Sequence, residues 1–424
     1  MRSLLRHLDP VAVSALAKSE SRNREVRLPP ISVYRWWARR TAAVQAAVVS
    51  AAEIGVEGRL VVADPFAGGG VIPLVAAAAG HRAYAQDLNP WAAKGLAAML
   101  GLPEADALRE AAAVLHQRTA ATVEAAYGTT LTDGRPGLIS HTFRVATACC
   151  TACGERSRLY PHALVSMLTR RERGGTEAFL ACPSGHLFKG HVGDASTCPT
   201  CDGVVDPGAS YTRGRVVVCP CGHEERLEQR AREGDWSWEV VLVERTATGS
   251  RELALPTKGE RDAAEDPRHK PCRMLGAIPE GQETRVLLRH GFTSWSDLYP
   301  RRQRALLEQL LDQSEQCSGE AEVVAAVQMA IVGSAEMAGL LSRWDRYYLK
   351  SFESMAGHRF NFTTLSVEPN VWGTVTSGRG TTLRRLAQLV RAAEWMERQA
   401  HRPLAVLGPL DGDGGTQVDG SEQD

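Results

Sequence analysis

Residues 62–90, VADPFAGGGVIPLVAAAAGHRAYAQDLNP, constrain the fold of this chain more than any other stretch. The run from Leu60 to Ala63 reads as a β-strand and stops at Asp64-Pro65-Phe66-Ala67-Gly68-Gly69-Gly70. A short apolar helix follows, broken at Gly80, and a second strand ends in Asp87-Leu88-Asn89-Pro90. Strand, Gly-rich turn, helix, strand and terminal acid together describe a unit whose ligand pocket lies at the carboxyl ends of parallel strands. Glycines let a ligand come close to the backbone, and the helix that follows offers unpaired N–H groups to an anion.

Asp87 follows Gly70 by 17 residues, near the spacing of about 20 at which a carboxylate reaches ribose hydroxyls in this topology. The turn is not G-x-G-x-x-G, which disfavours a dinucleotide with a pyrophosphate. Phe66-x-Gly68-x-Gly70 after Asp64-Pro65 fits S-adenosylmethionine better, with its methionine carboxylate at the loop and its ribose at Asp87. The plain alternative is that Gly-rich turns of this kind occur in many α/β proteins with other ligands or none.

At 424 residues the chain is long enough for two or three domains. Its formal net charge is zero, so any nucleic-acid surface must be local rather than global. The N-terminus has no signal-peptide core and no stretch reaches a membrane span, so a cytoplasmic protein is expected. In that compartment ten cysteines point to metal or structural thiols rather than disulfides.

Four short pairs carry most of the cysteines: Cys150/Cys153, Cys182/His186, Cys198/Cys201 and Cys219/Cys221. Each pair offers two donors from one tight turn, and zinc takes four donors in a tetrahedron. The eight make one or two structural Zn2+ sites. Sequential pairing gives Cys150/Cys153/Cys182/His186 and Cys198/Cys201/Cys219/Cys221; an interleaved pairing and a single ribbon from Cys150/Cys153/Cys198/Cys201 stay open. Cys149 competes with Cys150, and His223 with Cys221, while Cys272 and Cys317 read as ordinary buried thiols. No H-x-E or HExxH pattern argues for a catalytic ion. The insertion also carries Arg156, Arg158, Arg170, Arg171, Arg173, Arg213 and Arg215, which suit phosphate contacts or a solvated surface equally.

Near the N-terminus, Ile31-Ser32-Val33-Tyr34-Arg35-Trp36-Trp37-Ala38-Arg39-Arg40 packs aromatic and cationic side chains densely. Arg35, Arg39 and Arg40 suit nucleic-acid phosphates, and the tryptophans suit a stacked base. The competing reading anchors one tryptophan in the core and leaves the arginines in solvent. Later segments read as helices at 293–313 and 322–352, a strand at 361–370, an amphipathic helix at 381–400 and a disordered acidic tail.

The RWWARR run, the DPFAGGG turn, the QDLNP strand end, the cysteine pairs, WSDLYPRRQRALL and FNFTTLSVEPNVWG together resemble bacterial adenine-specific DNA methylases containing a Zn-ribbon. The resemblance covers nearly the whole chain up to about residue 375. It implies methyl transfer from S-adenosylmethionine to an exocyclic amine in DNA, adenine N6, and some such proteins accompany phage-defence genes. It places Asp64, Phe66, Gly68 and Gly70 at the methionine side, Asp87 at the ribose and Asn89 beside the adenine. Trp37 and Arg39 would close the pocket or the DNA channel.

One departure bears on mechanism. Enzymes of this type carry Asp/Asn-Pro-Pro-Tyr/Phe on a later strand, and the only Pro-Pro here is Pro29-Pro30. Glu368-Pro369-Asn370 lacks the second proline and the aromatic. No residue of this chain is therefore assigned a catalytic role. A second polypeptide carrying that motif, a truncation, or a non-catalytic zinc-containing nucleic-acid module derived from such a methylase each account for this. The tail reads as a finished terminus, which favours the split enzyme, and a partial sheet should then expose an edge strand and apolar surface.

The expected fold class is α/β, a partial class I (Rossmann-like) methyltransferase sheet with an inserted zinc-ribbon β domain and a helical C-terminal part. Its parts are a helical segment at 1–50, the cofactor half at 51–140 and the zinc-ribbon insertion at 141–240, followed by a linker at 241–275, a helical region at 276–405 and the tail at 406–424.

Overall fold

A computed structural model describes residues 4–23, 26–212, 215–355, 360–374, 380–399, 401–407 and 415–422. The protein is mixed α/β with several small sheets, and no helix among the described residues is long and apolar enough to cross a membrane. It divides into two compact units. One comprises Met1–Arg118, Leu311–Gly333 and Arg384–Asp424, and the other Thr119–Leu310 and Ser334–Leu383.

The first unit opens with α1 (Pro10–Arg22), whose first N–H groups are capped by the Asp9 carboxylate, and α2 (Ala42–Glu53). Thr41 gives α2 no side-chain cap; the buried Glu20 carboxylate of α1 accepts from Ala42 N at 2.9 Å and Ala43 N at 3.1 Å instead. One acid thus fixes α1 on the positive end of α2. Then come β1 (Val61–Asp64), α3 (Val71–Ala78), β2 (Arg82–Gln86), α4 (Pro90–Leu100) and α5 (Ala105–Tyr127). The expected strand–turn–helix–strand unit is present, and β1 and β2 are parallel with Val61 opposite Arg82 and Ala63 opposite Tyr84.

Among the described residues this sheet is covered on one side only. Ala83 and Ala85 of β2 are buried, together with Leu74, Ala76 and Ala77 of α3. On the opposite face Val61 is 73% exposed, Tyr84 is 39% exposed, and Ala63 and Arg82 also face solvent. β1 is also the terminal strand of its sheet. A parallel sheet normally has both faces covered, so an edge and a face here are both open. At the other end the sheet continues through Gly415–Glu422, antiparallel to β2, and His401–Leu407. The tail expected to be disordered at 406–424 therefore contributes the strand Gly415–Glu422 and the end of His401–Leu407, whose earlier residues belong to the expected helical region; residues 408–414 and 423–424 lie outside the described residues.

The second unit is built on β3 (Pro136–Cys149), a 14-residue strand buried on both faces. It pairs antiparallel with β4 (Ser237–Ala247), which pairs with β5 (Ser250–Ala254). On its other side lies β6 (Leu365–Pro369), also antiparallel. The metal-site insertion therefore begins after Cys149 and returns at Ser237, inside the expected 141–240. Of the stretch expected as a linker at 241–275, the part up to Ala264 is the rest of β4, β5 and α6 (Lys258–Ala264), which starts at a Thr257/Glu260 capping box, and 265–275 carry no helix or strand. Further corrections concern the helices. The one expected from 293 starts only after Pro300, as α7 (Arg301–Ser314), and the one expected over 322–352 ends at Ala335 as α8 (Ala321–Ala335). Residues Trp344–Asp345 and Lys350–Ser351 form a small hairpin instead.

Alternation along β3 gives its two faces different chemistry. Phe143 and Val145 enter an apolar cluster with Phe179, Leu242 and Val367. Thr142 and Arg144 point into a buried ionic network around Glu368 of β6. Glu368 accepts from Arg144 Nε at 2.7 Å, from Arg302 Nε at 2.9 Å and from the Tyr127 hydroxyl at 3.2 Å. Arg302, fully buried on α7, also donates to Thr142 Oγ1 and Ala126 O and lies 4.2 Å from the Tyr127 ring centroid. Burial alone would raise the Glu368 pKa, but the Arg302 and Arg144 guanidiniums outweigh it and hold the carboxyl below its ordinary range. A lowered folded pKa stabilises above the unfolded value of about 4.3, and that contribution is lost as pH falls through the folded pKa. We predict that Glu368→Ala, which strands two buried guanidiniums, destabilises the second unit by about 3–5 kcal/mol. Urea unfolding followed by tryptophan fluorescence measures this, with the exposed Lys258→Ala as a control that leaves the midpoint in place.

Candidate functional site

The glycine turn sits between the ends of β1 and β2, and Asp87 organises it. Its Oδ2 accepts from Gly68 N and its Oδ1 from Asn89 N, both at 2.8 Å. Ala67 N donates to Gln86 O at 2.9 Å, tying the loop to β2 a second time. Asn89 caps α4 through Trp91 N at 2.9 Å. Asp64 accepts from Phe66 N, and burial and then the nearby Asp87 charge push its pKa up against that hydrogen bond. Two carboxylates thus lie close together, each with lone pairs beyond those held by the backbone. Gly70, at φ 70°, leads into α3 with no side chain capping the helix. That end remains suited to an anion.

What the glycines admit is partly the protein itself. A Cβ on Gly68 would fall 2.5 Å from Trp36 Nε1, and one on Gly69 would fall 2.8 Å from Arg39 Cγ. On Gly70 it would meet Leu96 and Met99. Sequence reasoning assigned Trp37 to the pocket. The structure places Trp36 on the loop, whereas Trp37 is 46% exposed beside Arg35. Tyr34, not singled out by the sequence reading, donates its hydroxyl to Gly68 O and packs its ring on Gly95. Its only sequence signal was its place in the same aromatic run. Around the acids the rim is apolar: Phe66 is 86% exposed and Leu88 is 99% exposed.

The candidate arginines separate. Arg39 is half-buried over the Tyr34 ring, and Arg40 is exposed. In the second unit Arg170 and Arg171 are exposed at a 3-10 turn, Arg171–Arg173. Arg156, Arg158 and Arg215 are instead paired with Asp235, Glu239 and Glu228, and Arg213 lies outside the described residues.

The eight metal-ligand candidates gather into two groups of four, Cys150/Cys153/Cys219/Cys221 and Cys182/His186/Cys198/Cys201. The pairing is nested, the first pair with the last and the second with the third. This corrects the sequential assignment, the interleaved one and the single ribbon. Nesting follows from the strands, because β3 delivers Cys150 at one end of the insertion while the hairpin Val216–Val218/Glu224–Arg226 returns Cys219 and Cys221. The turns are of two kinds: Gly154 N and Asp202 N donate four residues back, to Cys150 O and Cys198 O at 2.9 Å, whereas Gly185 N and Gly222 N donate three residues back, to Cys182 O at 2.9 Å and Cys219 O at 2.8 Å.

Separations of 3.9 Å for Cys150–Cys221, 3.7 Å for Cys153–Cys219 and 3.8 Å for Cys182–Cys201 are far beyond a disulfide. They match the edge of about 3.8 Å for a tetrahedron with metal–sulfur bonds of about 2.3 Å. His186 Nδ1 lies 3.4 Å from Cys182 Sγ and 3.7 Å from Cys198 Sγ, so that nitrogen fills the fourth corner of the inner group. Both groups can hold a metal ion, and four protein donors leave no open position for catalysis. Cys149 and His223 stand outside both, Cys317 is buried as expected, and Cys272 is exposed, against expectation.

The thiols do not ionise alike. The Cys153 N–H draws Cys150 down to about 6, against burial. Burial pushes Cys219 up to about 12 and Cys182 up to about 11. A bound cation removes this conflict by favouring every thiolate.

Compared with protein-family models, with curated proteins and with solved structures, the chain matches none. We predict two metal ions per purified chain by elemental analysis. The double substitution Cys182→Ser/Cys198→Ser should remove one ion, because both residues serve the inner group. Sequential pairing would cost both ions, and Cys149→Ser should cost neither.

Proposed function

We propose that this chain is the cofactor-binding part of a two-chain S-adenosylmethionine-dependent DNA adenine-N6 methyltransferase, working in the cytoplasm with structural zinc in both four-donor groups. The observation that carries the reading is the open edge and open face of the β1–β2 sheet beside the glycine turn. A Rossmann-like sheet binds its cofactor at the strand ends and continues on both sides of the first strand. Here β1 has no strand on its outer side among the described residues, and Val61 and Tyr84 face solvent. The missing Asp/Asn-Pro-Pro-Tyr/Phe strand would belong to the partner chain that covers this surface.

The residues at the turn fit the cofactor. Asp87 keeps acceptor capacity for ribose hydroxyls while it holds Gly68 and Asn89. The uncapped start of α3 suits a carboxylate, and Phe66 and Leu88 offer apolar surface to an adenine ring. The negative charge of Asp64 and Asp87 favours a cationic ligand. When bound, S-adenosylmethionine supplies an electrophilic methyl group. The groups of this chain bind and orient it, and acceptance of the target amine is left to the partner. Soft thiolate donors in closed tetrahedral sets suit zinc.

A second reading, a non-catalytic zinc-containing nucleic-acid or regulatory module, is favoured by Trp36 and Arg39 occupying the near side of the glycine turn. Isothermal titration with S-adenosylmethionine separates the two. Wild type should bind, and Asp87→Asn, which keeps the side-chain shape, should bind about 10–100-fold more weakly, the loss of one charge-assisted hydrogen bond. Absence of wild-type binding would sink the enzyme reading. Methyl transfer should require co-purification with the partner, and the chain alone should self-associate through its open sheet edge.

A further inference from the structure

We propose that the second unit carries a binding surface for single-stranded nucleic acid, formed where the Arg171–Arg173 turn meets the hairpin of residues 343–352. The sequence RWDRYYLKSF reads as the end of a helix, so this surface exists only once the chain folds. Six cations gather there: Arg170, Arg171 and Arg173 from the turn, and Arg343, Arg346 and Lys350 from the hairpin. In a chain of zero net charge this is a marked local excess.

Aromatic rings alternate with these charges. Arg171 and Arg346 lie 5.5 Å and 5.4 Å from the Tyr347 ring centroid. Lys350 lies 5.3 Å from that of Tyr348 and 5.8 Å from that of Phe352, and Arg343 lies 5.7 Å from the latter. Tyr348 is 45% exposed and Phe352 is 39% exposed, so both rings reach solvent among the cations.

The surface is built rather than loose. Leu349, at φ 50°, closes the hairpin with its N–H on Asp345 O at 2.8 Å, and its side chain is buried. Trp344 anchors the base through Nε1 to Ser166 Oγ at 2.9 Å, and Arg171 N donates to Tyr347 O at 3.2 Å. The Asp345 carboxylate is turned to the N–H groups of Tyr347 and Tyr348; the other acids in these two segments are Glu172 on the turn and Glu353 just after the hairpin, the latter already partnered.

Cations for phosphates and exposed rings for bases are the combination that unpaired strands require. A duplex keeps its bases stacked and would use only the cations. An acidic peptide would leave the rings idle. The surface names the polynucleotide partner of the proposed methyltransferase and rests on that reading for its setting, but binding needs neither cofactor nor second chain.

Fluorescence anisotropy of the full-length chain with a labelled mixed-sequence DNA oligonucleotide, single-stranded and as the duplex, tests this across a salt series. The single strand should bind more tightly than the duplex. Arg170→Glu/Arg173→Glu should weaken binding more than tenfold at low salt. Arg346→Ala/Lys350→Ala should flatten the log–log salt slope by about 1.4, two contacts at about 0.7 each. Tyr348→Ala/Phe352→Ala should weaken the single strand while leaving the slope and the duplex unchanged. Unchanged metal content and circular dichroism certify the fold of each variant. The proposal is overturned if the variants bind as wild type does, if the duplex binds as well as the single strand, or if polyglutamate displaces the oligonucleotide at equal charge concentration. S-adenosylmethionine titration of the same samples reads the other site. Strand binding without cofactor binding would leave this surface standing while the enzyme reading fell, and the reverse result would do the opposite.

Discussion

One buried carboxylate organises the second unit. Glu368 joins β6 to Arg144 of β3 and to Arg302 of α7, and Arg302 reaches on to the carbonyl of Ala126 in α5. Gln303, next on the helix, donates to Pro369 O at 2.7 Å and accepts from Gly339 N at 2.9 Å. A charge with no water around it is tolerated only when every lone pair is used. Helix, strands and the turn at Gly339 are therefore held to one mutual arrangement. This explains why Glu368-Pro369-Asn370 cannot do the work of a catalytic motif. Glu368 is fully buried and committed to two guanidiniums, and Asn370 is spent on Ile139 O and on the N–H groups of Trp372 and Gly373.

The two units differ in how completely they satisfy themselves. In the second, β3 has strands on both sides and buried side chains on both faces. In the first, β1 ends a sheet whose uncovered face includes a valine and a tyrosine. Exposed edges of this kind are normally blunted by charge, proline or a covering element. Here Val61 and Val62 carry neither charge nor proline. That face, with Val61, Tyr84 and Arg82 in solvent beside the glycine turn, is the surface the proposed partner would cover.

How much of this was legible in the sequence follows the range of the interactions. The β1–turn–α3–β2 unit and the metal donors were readable because each depends on contacts within a few residues. Partnership among the donor pairs was not, because it is set by strands that bring Cys150 to Cys221 across 71 positions. Nor was the choice between Trp36 and Trp37, adjacent residues of equal composition that only the packing on Gly68 distinguishes. The helix expected to run to residue 352 has suitable local propensity as far as Leu341. It stops at Ala335 because the chain must turn at Gly339, at φ 104°, where an added Cβ would lie 2.8 Å from Leu298 O. The tail looked disordered by composition, and its strand Gly415–Glu422 pairs with β2, more than 300 residues away, which no local window contains.

The metal groups gain a role from where they sit. Cys182 and Cys198 of the inner group share one apolar cluster with Leu180, Phe188 and Leu349, and Trp344 and Tyr347 pack against it. Leu349 and Trp344 are the residues that fix the basic hairpin, so an ion held by the inner group would also firm the floor beneath Arg346, Tyr348 and Lys350. Leu164–Met167 and Glu177–Ala181 are short strands whose buried side chains pack directly on the inner donors. Cross-linking the insertion through metal would stiffen it. In the proposed enzyme the ions have no chemistry of their own; they hold a polynucleotide-binding face in shape on a unit that does not hold the cofactor.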